Sequence, residues 1–393
     1  MEGTMARLMG TKAVKVEAID AQRTKETLLD LGIIDKTRKP MKDDGKVLFP
    51  VDDARLDDIS ILSRDGISFE IVEGGCPPND SHRGKRLVDL LEGEIPGELL
   101  DLVPTSFNII GKIMILEIDP ALHDMAPVIA KASRLLHPRL EAIYLKLTGR
   151  IGTYRTRDLE LIWGKEDPVT IHVENGCRFL VDVTRTFFDP RLAREHERLV
   201  SRIAQAGFEP ATILDLFCGI GPFSIPLALL DQDLEIHAVD INPVAIHLLD
   251  RNVDLNGVNP ERITHRAMDA RDFMREASEA NISFDHVILN LPGTSHLFLE
   301  HAVHLLAPRG RLYWYTIAPD FTGKKESRGI SMEGALARLK ALDLDGNKEI
   351  PSPCTKGMAL ATTLGLHVAM VTRVKAYAPY KYTYCIELSH SKG

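Results

Sequence analysis

The sequence predicts an α/β protein: a doubly wound, mostly parallel sheet, preceded by an α/β middle domain and a small N-terminal α/β domain. Three observations carry this. From about residue 191, short apolar runs at 212–217, 235–240, 262–267, 284–290 and 311–317 alternate with helical stretches, a pattern that implies a parallel sheet covered on both faces. The first of those runs passes directly into a glycine-rich turn, Phe217-Cys-Gly-Ile-Gly221, the junction from which doubly wound sheets bind ligands. The chain is 393 residues long, too long for one core of ordinary size, so two or three domains are expected.

Residues 19–32 read as a helix carrying Ala21, Leu28, Leu29 and Leu31, stopped by Gly32. A short strand is expected at 46–50, and Ile59, Ile61, Ile67, Phe69 and Ile71 alternate as further strand around a turn. Residues 1–72 then form a small domain, and the Gly-, Pro- and polar-rich run 73–85 a linker. A middle domain is expected over 86–190, with a broken helix at 86–102, one strand from Asn108 to Glu117, a helix from His123 to Leu136 and a strand from Leu140 to Leu147. Asn175-Gly176 between two alternating runs is a strong hairpin signal. The remaining residues, 191–393, open with a helix at 191–207 and close with an antiparallel hairpin of 366–376 and 380–388.

Composition narrows the function. With 44% hydrophobic and 26% charged residues the chain is ordinary globular protein, and its apolar stretches, such as 225–230, are far short of a membrane span. Met1 to Ala18 lacks the apolar block of a secretory signal. Five cysteines, at 76, 177, 218, 354 and 385, show no paired short spacing, so neither a metal site nor a disulfide framework is expected, and a cytoplasmic location is. The net charge of −8 argues against a wholly basic nucleic-acid binder, yet Lys131, Arg134, Arg139, Lys146, Arg150, Arg155 and Arg157 face a single acid, Glu141. That local excess suits phosphates, or is simply a solvated face.

The candidate ligand site lies at successive strand ends. Gly219 and Gly221 would let the backbone approach a ligand. A dinucleotide binder would carry a third glycine where this chain has Ser224, and that difference, with Asp215 just before the turn, favours a ligand with a cationic amino-acid end. Asp240, ending the next strand about twenty residues on, would accept both hydroxyls of a ribose. Asp269, at the third strand end, would take an adenine amino group with Ala270 contributing backbone, or would cap the following helix.

Together with Tyr154-Arg-Thr-Arg-Asp-Leu-Glu-Leu-Ile-Trp-Gly164, Glu174-Asn-Gly176, Phe188-Asp-Pro-Arg-Leu-Ala-Arg-Glu195 and Asn290-Leu-Pro-Gly-Thr-Ser-His-Leu-Phe-Leu299, these features resemble the archaeal and eukaryotic tRNA (guanine-37-N1)-methyltransferases, class I enzymes that use S-adenosylmethionine. The resemblance covers most of the chain and implies an N-terminal tRNA-body module, a middle domain and a catalytic domain. It implies tRNA as partner, with no DNA and no membrane; a monomer is expected. Asp215, Phe217, Gly219, Gly221, His196, Asp240, Ile241, Asp269, Ala270 and Asn290 would hold the cofactor. Glu195 aligns with the family's general base and Arg155 with the arginine that stabilises O6 of the guanine, while Asn290 and Pro292 would present the target base. Leu192 and Leu199 put Glu195 on the buried face of its helix, where pairing with Arg191 or Arg198 is the plain alternative. Arg157, expected on the same strand face as Arg155, is a rival for its role.

The chain departs from the family at Phe187, where many members have tyrosine, and at His196, where many have arginine. Three other readings stand beside methyl transfer: a bifunctional enzyme that also methylates a tricyclic wyosine-type guanine derivative, an aminocarboxypropyl transferase of the same pathway, and a tRNA-binding protein with a degenerate pocket.

Overall fold

In the computed structural model the described residues are 12–390, apart from 36–37, 52–58, 60, 65, 78–85, 150–151, 208–209, 231–232, 323–325, 329–331, 346–351 and 379. Most of the expected linker, and Arg150, therefore lie outside the described residues. The chain forms two compact units, Met1–Leu100 and Asp101–Gly393.

The first unit is a four-stranded sheet in the order β2-β3-β1-β4 (β1 Lys12–Glu17, β2 Met41–Asp43, β3 Lys46–Val51, β4 Phe69–Glu73) with helix α1 (Ala21–Asp30). Val14, Val16, Leu28, Phe49 and Leu62 form its core. The alternation around Ile59 and Ile61 is not strand: Ile61–Arg64 is a single helical turn, α2. Apolar residues spaced by two are too few here to separate the two periods. The unit is completed by the short helix α3 (Leu87–Leu91).

The second unit opens with a sheet ordered β5-β6-β7-β8 (Phe107–Ile110, Ile113–Leu116, Ala142–Lys146, Leu159–Gly164), with helix α4 (Ala126–Leu136) between β6 and β7. The single strand expected from Asn108 to Glu117 is a hairpin, because Gly111 takes a φ of 55° and turns the chain back. A side chain at Gly111 would also collide with the Ile171 carbonyl. Strands β9 (Val169–Glu174) and β10 (Cys177–Asp182) pair around Asn175 and Gly176, both at positive φ as a tight hairpin requires. This hairpin is tied to a helix of the main layer: Asn252 Oδ1 accepts from the Leu180 amide at 2.7 Å.

The main sheet has eight strands in the order β13-β12-β11-β14-β15-β18-β17-β16. The first five (β11 Ala211–Asp215, β12 Leu234–Asp240, β13 Ile263–Ala267, β14 Phe284–Leu289, β15 Leu306–Pro319) are parallel. Long antiparallel strands β17 (Leu366–Ala378) and β18 (Lys381–His390) follow, with β16 (Glu326–Arg328) outermost. Helices α5 (Ala193–Ala204), α6 (Ser224–Ala228), α7 (Pro243–Asn256), α8 (Ala270–Glu279), α9 (Leu299–His304), α10 (Met332–Asp345) and α11 (Pro353–Thr363) complete the unit. Two apolar clusters result, one holding Ile213, Ile236 and Leu249, the other Leu214, Val287 and Trp314. Neighbouring residues of β11 and β14 thus enter opposite cores, which is why these strands read as continuous apolar runs. Among the described residues no helix is long and apolar enough to cross a membrane.

Candidate active site

The parallel strands all present their carboxyl ends to one edge, and a cavity of about 680 Å³ opens there. That is a usual size for a small-molecule site. Leu216 to Gly219 after β11, Asp240 and Ile241 after β12, Asp269 and Ala270 after β13, and Asn290 and Leu291 after β14 line it. The opposite wall comes from Tyr154, Arg155, Phe187, Phe188, Asp189, Leu192 and His196.

Asp240 is the best-defined group on the first wall. Its Oδ2 accepts the Gly219 amide and its Oδ1 the Asn242 amide, each at 2.8 Å. These bonds fix the carboxylate and leave each oxygen acceptor capacity for a diol. Burial raises its pKa, against the two amides that lower it. Asp269 does both things expected of it: it borders the cavity and caps α8, accepting the Arg271 amide at 2.8 Å.

The two glycines part company. Gly219 lies on the cavity wall with φ 54° and open space around an added Cβ, its nearest neighbour being the Phe187 carbonyl at 3.8 Å. Gly221 does not line the cavity. Its φ is 90°, and a Cβ there would collide with Leu249 Cδ1 of α7, so the glycine serves helix packing. Asp215 is likewise off the wall and wholly buried. Its Oδ2 accepts from the Ser224 hydroxyl at 2.8 Å, while Oδ1 has no hydrogen-bond partner among the described residues. Burial pushes its pKa up to about 7; Asp240 adds to the rise and Ser224 opposes it. The Asp240 cradle fits a ribose, whereas Asp215, off the wall, does not border the space a ligand would take. Pro292 sits in the turn after Asn290 and does not itself line the cavity.

On the facing wall, Arg155 is not on a strand. It occupies a turn at φ 54°, ahead of β8, with its guanidinium 5.2 Å from the Phe187 ring centre. The strand face shared with Arg157 therefore does not exist; two glycines and a turn precede β8, and Arg157 is absent from this cavity's lining. Desolvation draws the Arg155 pKa down, opposed by the nearby Tyr377 phenol.

Glu195 is buried and belongs to the same helical segment as Leu192 and His196, but it does not line the cavity. Its Oε1 accepts from Tyr315 Oη and Arg198 Nη2, each at 2.6 Å, and its Oε2 from Arg198 Nε at 2.7 Å. Of the two arginines at helical spacing, Arg198 is the partner; Arg191 is held by Asp189 at 2.9 Å.

Three features in or behind this wall are not announced by the sequence. Although burial pushes the other way, Arg191 and Lys375 hold Asp189 well below the usual carboxylate range, and the Lys375 contact is 2.5 Å long. His196 meets Glu174 Oε1 through Nδ1 at 2.6 Å, and His172 lies 3.6 Å from the other Glu174 oxygen. Tyr315 reaches Glu195 from the middle of β15. Glu174 and Asp189 are visible in their motifs; partners more than a hundred residues away, such as Tyr315 and Lys375, carry no local signal.

Comparison with known proteins fits this geometry. The TRM5/TYW2 methyltransferase domain model matches residues 170–335, the TYW2 N-terminal domain model residues 87–167, and the tRNA methyltransferase 5 N-terminal domain model residues 13–59. The tRNA (guanine(37)-N(1))-methyltransferase Trm5b of Pyrococcus abyssi is 35% identical over 310 residues, covering 79% of this chain and 85% of the relative. The chain belongs to the TRM5/TYW2 methyltransferase family. Within that family, the crystal structure of Trm5b from Pyrococcus abyssi superimposes with a TM-score of 0.59 at 31% identity, over 97% of this chain and 99% of the other. The tRNA(Phe) (4-demethylwyosine(37)-C(7)) aminocarboxypropyltransferase of Pyrococcus horikoshii is 29% identical, covering 60% of this chain and 80% of its own.

Proposed function

We propose that the protein is a tRNA (guanine-37-N1)-methyltransferase that uses S-adenosylmethionine and acts as a monomer on tRNA, not DNA, in the cytoplasm. The observation that carries this reading is one cavity with two dissimilar walls: carboxylates at strand ends on one side, and Arg155 against Phe187 on the other. It is supported by the 35% identity to Trm5b over 79% of this chain and by the match of the tRNA methyltransferase 5 N-terminal domain model to residues 13–59.

Asp240 would accept the ribose hydroxyls, Asp269 and Ala270 the adenine edge, and Phe217, Gly219, Ile241, His196 and Asn290 would border the rest of the cofactor, all of them lining the cavity. Asp215 and Gly221 support the turn from behind. When bound, S-adenosylmethionine supplies an electrophilic methyl group on a sulfonium. The protein's own part is to take the N1 proton of guanine and steady the charge that develops on O6. Arg155, a half-buried cation on the cavity wall, suits O6. Glu195 would take the proton. Arg198 and Tyr315 keep its carboxylate aimed, and at least one of them must yield when guanine enters. Hydrogen bonds of this kind tighten or rearrange in the substrate complex. Pro292 would stiffen the turn that carries Asn290 by fixing its φ.

The aminocarboxypropyltransferase reading differs in which carbon leaves the sulfur. Unmodified tRNA is incubated with cofactor labelled either in the methyl group or in the amino-acid portion. The proposal expects label on RNA only from the methyl; transfer of the amino-acid portion would overturn it.

A further inference from the structure

Strands β17 and β18 form the longest hairpin among the described residues, and β17 touches a residue of the cavity wall. Lys375 Nζ of β17 contacts Asp189 Oδ2, and Asp189 lines the cavity. Beyond Lys375 the ladder is irregular: Ala376 pairs with Tyr382 and Ala378 with Lys381, so Tyr377 is the extra residue of a bulge. A bulge of this kind re-aims a side chain and is common beside active sites. Tyr377 is 56% exposed, and it is close enough to Arg155 for its phenol to act on the guanidinium. Tyr380, in the turn itself, is 89% exposed and holds φ 59°. A bulky residue in the left-handed region is costly, and a hairpin turn would be better served by glycine or asparagine. Lys381, also exposed, adds a cation beside Tyr380.

We propose that this hairpin end is a stacking platform for unpaired RNA bases flanking the target guanosine, with Tyr377 and Tyr380 as the two rings and Lys381 as a phosphate contact. The inference rests on the RNA-modifying reading above and adds the element that holds the loop open while the target base enters the cavity. Exposed aromatics beside cations are the general means by which proteins grip single-stranded nucleic acid without reading its sequence.

The test is a single-turnover titration of unmodified tRNA transcript against the full chain, with cofactor affinity measured separately by calorimetry. Tyr377→Ala and Tyr380→Asn should each raise the half-saturating tRNA concentration about tenfold or more, the effect of losing one stacked base. Cofactor affinity should not move. Tyr377→Phe and Tyr380→Phe should bind tRNA like the wild type, because stacking needs the ring and not the hydroxyl. Tyr380→Asn should melt no lower than the wild type, since asparagine suits the turn. Unchanged tRNA saturation in Tyr377→Ala and Tyr380→Asn would overturn the platform while leaving the methyl-transfer reading intact; a wild type that saturates with tRNA but transfers no methyl would overturn that reading instead.

Discussion

The two walls of the cavity are built by different rules. The cofactor wall consists of residues at the carboxyl ends of β11, β12, β13 and β14, each fixed by the strand before it and the helix after it. The facing wall is assembled from a turn at Arg155 and the stretch from Phe187 to His196, with Lys375 of β17, remote in sequence, bound to Asp189. On the first wall Asp240 is fixed by two backbone amides; behind the second, Glu195 is tied to Arg198 and Tyr315 and would have to be released to act as the proposed base. A cofactor wall held in this way and a substrate wall that rearranges would let the protein hold its cofactor before RNA arrives.

The sharpest way to break this comparison is at Glu195. If it takes the N1 proton, Glu195→Gln should slow the single-turnover chemical step by about 10²–10⁴-fold while leaving cofactor affinity intact. Arg155→Ala should also slow the chemical step, since it would remove the charge partner of O6. A near-normal rate for Glu195→Gln would reduce Glu195 to the partner of Arg198 and Tyr315. The complementary cut is Asp240→Ala, which should weaken cofactor binding by roughly 2–5 kcal/mol, the cost of removing one partner of a buried charged hydrogen-bond set. Calorimetry with equal affinities for wild type and Asp240→Ala would remove Asp240 from the cofactor wall.

Asp215 sharpens the comparison through stability. Its folded pKa of about 7 lies above its ordinary value of 3.8. The folded chain thus binds the proton more tightly than the unfolded one, so the stabilisation is full below the unfolded pKa and is lost as pH rises through about 7. In the cofactor-free protein, melting temperature should fall between about pH 4 and pH 7 in the wild type, and Asp215→Asn should flatten that part of the profile. Identical profiles would show that the carboxylate is solvated after all.

The smallest effect concerns the basic excess in the middle domain. Arg134 is over the Trp163 ring and Lys146 is paired with Glu117, whereas Lys131 and Arg139 are exposed. Charge reversal at Lys131 and Arg139 should lower the salt dependence of tRNA affinity by roughly 0.7–0.9 in log–log slope for each phosphate no longer neutralised. A slope that does not change would make this a solvated face.

The contrast between the walls also explains what the sequence could reveal. Asp240 and Asp269 were legible because one ends a strand and the other follows a strand's end by two residues, and a strand end in a doubly wound sheet has a fixed place. Gly221 was legible as a glycine but not for its reason, since the collision with Leu249 comes from a helix packed across the turn. The Asn108–Glu117 hairpin was hidden because the short Gly111-Lys112 turn lies between the apolar runs Ile109-Ile110 and Ile113–Leu116, which read together as one strand. Glu195 could be placed on the buried face of α5 by periodicity, yet its bond to Tyr315 spans 120 residues. The tip of the β17–β18 hairpin gave only a turn, because a bulge that re-aims Tyr377 is a matter of register between strands.

The most direct test of methyl transfer to guanosine 37 is the identity of the modified nucleoside. Unmodified tRNA transcripts carrying guanosine or adenosine at position 37 are incubated with the protein and S-adenosylmethionine, digested to nucleosides and resolved by mass spectrometry. The expected product is 1-methylguanosine from the first transcript and no methylated nucleoside from the second. A methyl group on another atom or position, or an aminocarboxypropyl adduct in place of the methyl, would contradict it.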